Sequence, residues 1–232
     1  NGTTIEGPLR RGESEFIAYH EIPIRHGMTV GELAQMIKAE NGLNLDLTII
    51  PVEGWRRDML FDETGLPWIN PSPNMRNLTQ AILYPGIGLL ETTELSVGRG
   101  TDTPFEIIGA PYIDHLELAE ELNRLNFEGV RFVPIQFKPS SSKFAGQTCK
   151  GVNIILTDRD NCPVVKLGIA IAFTLNRLYA PDFSIEKFNR LLKHPEAIEN
   201  IRNGQSWKSI TAAWQHEIQD FELRRKPFLL YR

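Results

Sequence analysis

A chain of 232 residues with 41% hydrophobic and 23% charged side chains has the balance of an ordinary folded protein, neither disordered nor fibrous. It is long enough to bury a full core, as one large domain or two small ones. The formal net charge of −4 leaves no basic footprint for nucleic acid, and no run of ~18 apolar residues is available to span a membrane.

Asn1-Gly2 is no initiator sequence, and the opening reads as the inside of a turn in a longer protein. Residues 16–24, FIAYHEIPI, predict a strand that stops at Arg25-His26-Gly27. A helix over 29–40 follows. Thr29 and Glu32 stand in the capping-box spacing, with Met28 and Leu33 placed as the hydrophobic staple. Val30, Leu33, Ala34 and Ile37 share one helical face, and Asn41-Gly42 is a stop signal. LDLTIIPV, residues 45–52, is nearly all apolar, as strands buried in parallel sheets are. Strand, helix and strand in that order predict a right-handed βαβ unit and an α/β fold class.

Residues 53–76 form a long irregular stretch rich in Pro, Gly and Asn, uncommon in a compact domain unless it has a task. A short helix is expected over 77–83, and YPG at 84–86 marks a change of character that divides the chain into 1–83 and 84–232. The second part reads as α+β. Residues 114–125 are an amphipathic helix with Asp114 as N-cap, and 130–137 and 151–158 alternate as strands. From Pro163 the pattern is helical: a long apolar helix to Tyr179, two short helices, and one from about 206 to 224.

Cys149 and Cys162 flank an extended run that would hold them roughly 20 Å apart, too far for a disulfide, so two free, half-buried thiols are expected. The five histidines are dispersed, which argues against a zinc site, and no metal or nucleotide cofactor is expected. No G-x-S-x-G elbow is present, and the single G-R-G at 98–100 lacks the Gly-Lys-Ser/Thr of a phosphate loop.

Ligands of open α/β sheets bind beyond the carboxyl ends of the strands. Arg25 and His26 leave one predicted strand end there, and Glu53, Trp55, Arg56 and Arg57 leave the next. Taken singly, Arg25 has a plainer role in a surface ion pair and Glu32 in capping. Taken together, the two loops converge on one edge suited to an anionic or sugar-like ligand. The loop GLPWINPSPN adds Trp68, Asn70 and Asn74 on a Pro-stiffened backbone. Trp68 is open to two readings, a platform for a sugar face or a plug for the core beneath the loop. ETTELSVGRGTDTPFE, 91–106, is rich in carboxylates and sets Arg99 between two glycines. Lys143, Asp158 and Arg159 read chiefly as structure, with Asp158-Arg159 as strand-end turn chemistry.

The blocks EGP, PIRHGMTVGELA, GWRR, TGLPWINPSPNM, YPGIGLLE, LSVGRGTDTPFEIIGAPYID and KFAGQTCKGVNIILTDR occur in this order along the chain. Together they resemble the signature blocks of the NamZ-type exo-β-N-acetylmuramidases, peptidoglycan-recycling glycosidases long grouped as a domain of unknown function. The resemblance covers nearly the whole chain and is weakest after about residue 180. It implies the carboxyl-terminal portion of such a protein, with the end of a Rossmann-like parallel sheet at 1–83 and a smaller α/β domain at 84–232 closing a cleft. It also implies a periplasmic or secreted bacterial enzyme that removes N-acetylmuramic acid from the non-reducing end of muropeptides or other peptidoglycan-derived saccharides. Carried over by position, the cleft group is Arg25, His26, Trp68, Asn74, Glu91, Ser96 and Arg99, joined by Trp55 from the strand-end argument. Two departures stand out. Glu91-Thr92-Thr93-Glu94 replaces the family's Glu-Gly-Thr-Asn, and the family's best candidate for the catalytic acid lies upstream of Asn1. A peptidoglycan-fragment binding module without chemistry is the alternative.

Overall fold

The computed structural model describes residues 1–231. The expected capping box forms: the Thr29 hydroxyl accepts the Glu32 N–H at 3.3 Å, and the Glu32 carboxylate accepts the Thr29 N–H at 2.8 Å. It starts α1, Val30–Glu40, which ends at Asn41 as the sequence indicates.

The strands expected on either side of α1 do not form. Residues 16–24 make bends and turns, and only Arg25 bridges, antiparallel, to Glu6. Residues 45–52 carry no regular secondary structure, with Ile50 88% and Val52 62% exposed. A strand exists only through hydrogen bonds to a neighbour, and neither segment has one among the described residues. The apolar composition does mark a surface needing cover, but the βαβ unit it implies is absent.

The short helix expected at 77–83 is α2, Leu78–Ile87, capped by Asn77. It continues through Pro85 and passes directly into a 3-10 turn at Gly88–Thr92, so the expected division at 83/84 falls inside a helix. The sheet has three antiparallel strands in the order β1-β3-β2: β1 Ile107–Ala110, β2 Val130–Phe137 and β3 Cys149–Leu156. Helix α3, His115–Arg124, packs against it, with the Asp114 carboxylate accepting the N–H groups of Leu116 and Glu117 at 2.9 and 3.2 Å.

The core is organised around α4, Val164–Tyr179, which is buried on nearly every side from Val164 to Leu175. A helix apolar all round is a helix meant for the interior. Helix α2 crosses it at glycine on glycine. A methyl at Gly86 would overlap the Val164 carbonyl oxygen, and one at Gly168 would stand 2.5 Å from the Gly86 carbonyl oxygen. The remaining helices, α5 Ile185–Leu192, α6 Pro195–Arg202, α7 Trp207–Ala212 and α8 Gln215–Arg225, close the far side. The single helix expected at 206–224 is two. The break at Ala213-Trp214 sinks the Trp214 side chain into the core against the edge of His194. Both thiols are free, and they are fully buried where half-burial was expected, because Cys149 and Cys162 both lie beneath packed elements.

Candidate functional site

A cavity of about 460 Å³ opens where three pieces of chain meet: the 24–29 turn that precedes α1, the irregular 55–68 stretch, and α2. Arg25, His26, Trp55 and Trp68 all line it. The two loops do converge on one place, although no sheet edge brings them there. Hydrogen bonds around glycines do so instead.

Each side chain is held by named contacts. Arg25 exchanges both backbone bonds with Glu6, at 2.9 Å each way, and its guanidinium meets the Glu6 carboxylate at 3.1 Å. Glu6 is buried; burial pushes its carboxyl upward, and Arg25 opposes the shift. His26 accepts the Met28 N–H on Nδ1 at 3.2 Å. Burial first, and the nearby Arg225 second, push its pKa below the ordinary value, which favours the neutral ring. With Nδ1 committed as an acceptor, the neutral ring carries its proton on Nε2. Trp68 meets Phe61 edge-on at 5.1 Å and donates its indole N–H to Asn70 at 3.1 Å. Trp55 meets Tyr231 edge-on at 4.7 Å. Trp68 is half-buried and lines the cavity, so it is both plug and wall. The apolar side is supplied by α2 through Leu78, Ala81, Ile82 and Pro85.

The other expected residues lie elsewhere. Asn74 does not line the cavity. Its loop is tied away from it, with Arg76 on Asp102 at 3.2 Å and Asn77 on Glu106 at 3.1 Å. Glu91 and Arg99 form an ion pair with each other, and Arg99 lies over the Phe105 ring at 5.5 Å. Ser96 is buried, pairing its backbone with Gly109 at 2.8 and 3.0 Å while its hydroxyl accepts the Gly98 N–H at 3.3 Å. Lys143 joins this second cluster by donating to the carbonyls of Glu91 and Thr93, and burial pushes its pKa down. Four of the eight candidates therefore share one cavity, while Glu91 and Arg99 pair with each other and Ser96 bridges to Gly109 of β1.

Three further groups shape the cavity, of which sequence reasoning places only Arg57 near it. Arg159, which reads as turn chemistry, lines it and pairs with Asp62. Arg57 and Arg225 reach its base from behind, through the carbonyl oxygen of Gly27 at 2.8 Å each. Arg57 is visible in the doubled arginine of GWRR, whereas nothing local to Arg225 points to a site some two hundred residues earlier. Among the described residues, no three His, Cys, Asp or Glu side chains are grouped so as to hold a metal ion.

The fold and cavity define an α/β protein with a pocket walled by arginines, a histidine and tryptophans, the equipment for a ligand having an anionic group and an apolar face. Residues 82–231 match the C-terminal model, and residues 1–79 the N-terminal model, of exo-beta-N-acetylmuramidase NamZ. The chain belongs to the NamZ exo-β-N-acetylmuramidase family. The match at 1–79 corrects the expectation of a carboxyl-terminal portion alone. Among similar proteins is the peptidoglycan beta-N-acetylmuramidase NamZ of Bacillus subtilis (strain 168), 41% identical over 234 residues. That alignment covers 99% of this chain and 56% of the relative, so the chain spans just over half the length of the curated relative it matches. Two crystal structures of DUF1343 family proteins from Bacteroides fragilis NCTC 9343 are similar throughout this chain and over 63% of their own. Their TM-scores are 0.90 and 0.79, with sequence identities of 28% and 29%.

Proposed function

We propose that this chain is part of an exo-acting β-N-acetylmuramidase that removes N-acetylmuramic acid from the non-reducing end of peptidoglycan fragments. The observation that carries the reading is the cavity itself, which Arg25, Arg159, His26 and Trp68 all line. N-acetylmuramic acid carries a lactyl carboxylate, which a guanidinium meets with two parallel hydrogen bonds. Its ring offers an apolar face to an indole. The Nε2–H of a neutral His26 is a donor for the carbonyl or hydroxyl oxygens of the same sugar.

Glycoside hydrolysis needs a pair of carboxyl groups in most families, and among the described residues no Asp or Glu lines this cavity. In this reading the acid comes from the part of the longer relatives that this chain does not span. The same part supplies neighbours for the extended, outward-facing residues 45–52 and completes a Rossmann-like parallel sheet. A muropeptide is the substrate, and the periplasm or the cell exterior is the compartment. The missing carboxylate also favours a second reading, a peptidoglycan-fragment binding module without chemistry.

The deciding experiment is hydrolysis of a chromogenic β-N-acetylmuramide by the full-length gene product, beside the matching glucosaminide. Release of the chromophore from the muramide alone supports the enzyme. Binding of N-acetylmuramic acid without turnover supports the module. Neither binding nor turnover overturns both.

A further inference from the structure

Arg225, near the end of α8, is 3% exposed and has no carboxylate partner among the described residues. Its Nε finds no acceptor. Burying a guanidinium without a counter-charge is costly unless hydrogen bonds satisfy it, and Arg225 directs what it has at one place. Its Nη1 is shared among three carbonyl oxygens, those of Gly2 at 3.1 Å, His26 at 3.0 Å and Gly27 at 2.8 Å. Arg57 reaches the same Gly27 oxygen at 2.8 Å, and the Gly2 N–H donates to the Arg57 carbonyl at 2.7 Å. Gly27 has φ +61°, and a Cβ there would stand 2.5 Å from both the Arg225 Nη1 and the Gly2 oxygen. The corner closes because residue 27 is glycine and because a guanidinium fills the space that remains.

Resting on the muramidase reading above, we propose that Arg225 is a positioning residue for His26. By fixing the carbonyls of His26 and Gly27, on either side of the Gly27 Cα, from a helix at the far end of the chain, it holds the ring with Nδ1 turned to the Met28 N–H. Nε2 is then the nitrogen left for the sugar. Three observations agree. His26 Nδ1 is occupied by the backbone and Nε2 has no protein partner among the described residues. The charged groups gathered at this corner are Arg25 beside it in the chain, paired with Glu6, Arg57 on the following loop, paired with Glu32 of α1, Arg225 on α8 and, lining the same cavity, Arg159 paired with Asp62. Arg225 also helps to keep the ring uncharged, which preserves a single donor nitrogen.

The test uses R225Q, which removes the charge and the fork, and R225K, which keeps the charge alone. In the 232-residue chain, long-range proton–nitrogen NMR reports the His26 tautomer and its titration. The wild type should show the Nε2–H tautomer and a midpoint below the ordinary histidine value. R225Q should raise the midpoint and mix the tautomers, while R225K should mix the tautomers with a smaller rise. In the full-length gene product, either change should lower kcat/KM on the chromogenic muramide by about 10- to 100-fold. Acting through His26, R225Q should add little to His26→Ala, since coupled sites do not add. If the NMR signature of His26 is unmoved in both variants, or if the two losses multiply, Arg225 does not position His26. Should R225Q fail to fold, R225K decides, and unchanged tautomer and rate in it overturn the proposal. A wild-type protein inert on muramides would sink the muramidase reading, while the NMR arm would still judge the positioning of His26.

Discussion

Glu32 is fully buried and is the point where three separated parts of the chain meet, so its replacement by Gln has a calculable effect. One carboxylate oxygen accepts from Arg57 and from the Leu230 N–H at 2.7 Å, and the other accepts the Thr29 N–H at 2.8 Å. Burial raises the pKa of this carboxyl, but the hydrogen bonds from Arg57, Thr29 and Leu230 outweigh it and leave the group below the usual range. A Gln amide keeps one acceptor and turns a donor NH₂ toward groups that themselves donate. Breaking a buried ion pair by removing one partner costs about 3–5 kcal/mol. For a chain of this size each kcal/mol is worth about 2–4 °C of Tm, so E32Q should melt about 6–20 °C below wild type. Thermal unfolding followed by circular dichroism at neutral pH measures this. E32Q combined with R57Q should cost less than the sum of the two, because both remove one interaction. The pH dependence has a definite sign. A depressed carboxyl contributes its stability above the unfolded pKa and loses it as pH falls through the lower folded value, so the E32Q deficit should shrink on acidification. A loss below about 1 kcal/mol at neutral pH, or strict additivity with R57Q, would refute the reasoning.

Gly86→Ala forces a methyl into the Val164 carbonyl, and overpacking of this kind costs about 1–3 kcal/mol or more; a melting temperature equal to wild type would show that the helices can part. His26 and His194 are both pushed down, by burial first, so the stability they contribute is present above the unfolded value near 6.5 and is lost as pH falls below it. Denaturant titrations between about pH 7 and pH 5 should therefore show declining stability, and His194→Gln should flatten the decline. Arg25→Met should weaken the muramide relative to the glucosaminide by about tenfold or more, at 1.5–3 kcal/mol per charged hydrogen bond; equal losses on the two substrates would make Arg25 a scaffold residue only. Cys149 and Cys162 are buried, and burial pushes the Cys162 thiol up to about 12. Neither should react with a thiol reagent at neutral pH until the chain is unfolded.

Local signals in the sequence are the reliable ones. The Thr29/Glu32 box, the Asp114 cap and the all-apolar run of α4 are decided by neighbours within a few residues, and each forms as expected. Residues 45–52 show the opposite case. Their composition states a demand for cover on both faces, but pairing depends on partners that composition cannot name. The cavity is legible in part for the same reason. Arg25, His26, Trp55 and Trp68 sit on loops that do converge, whereas Asn74, Glu91 and Arg99 are diverted by ion pairs and hydrogen bonds that span 8 to 29 positions of the chain. Arg225 is invisible because its role is a contact across 198 residues, with backbone atoms that leave no mark on side-chain pattern.

The glycine crossing of α2 and α4 sets how this molecule can move. The stretches matched to the two family models meet at residues 79–82, inside α2, and that helix is both a wall of the cavity and a bar seated backbone to backbone on the core. At that crossing the two backbones touch with no side chain between them, and Leu83 and Ile87 of α2 are buried in the same core on either side of Gly86. With α2 seated on the core and the 24–29 corner pinned through Gly27 by Arg57 and Arg225, adjustment around a ligand is left to the Trp68 end of the irregular stretch, which makes the cavity a clamp with two fixed jaws and one compliant lip.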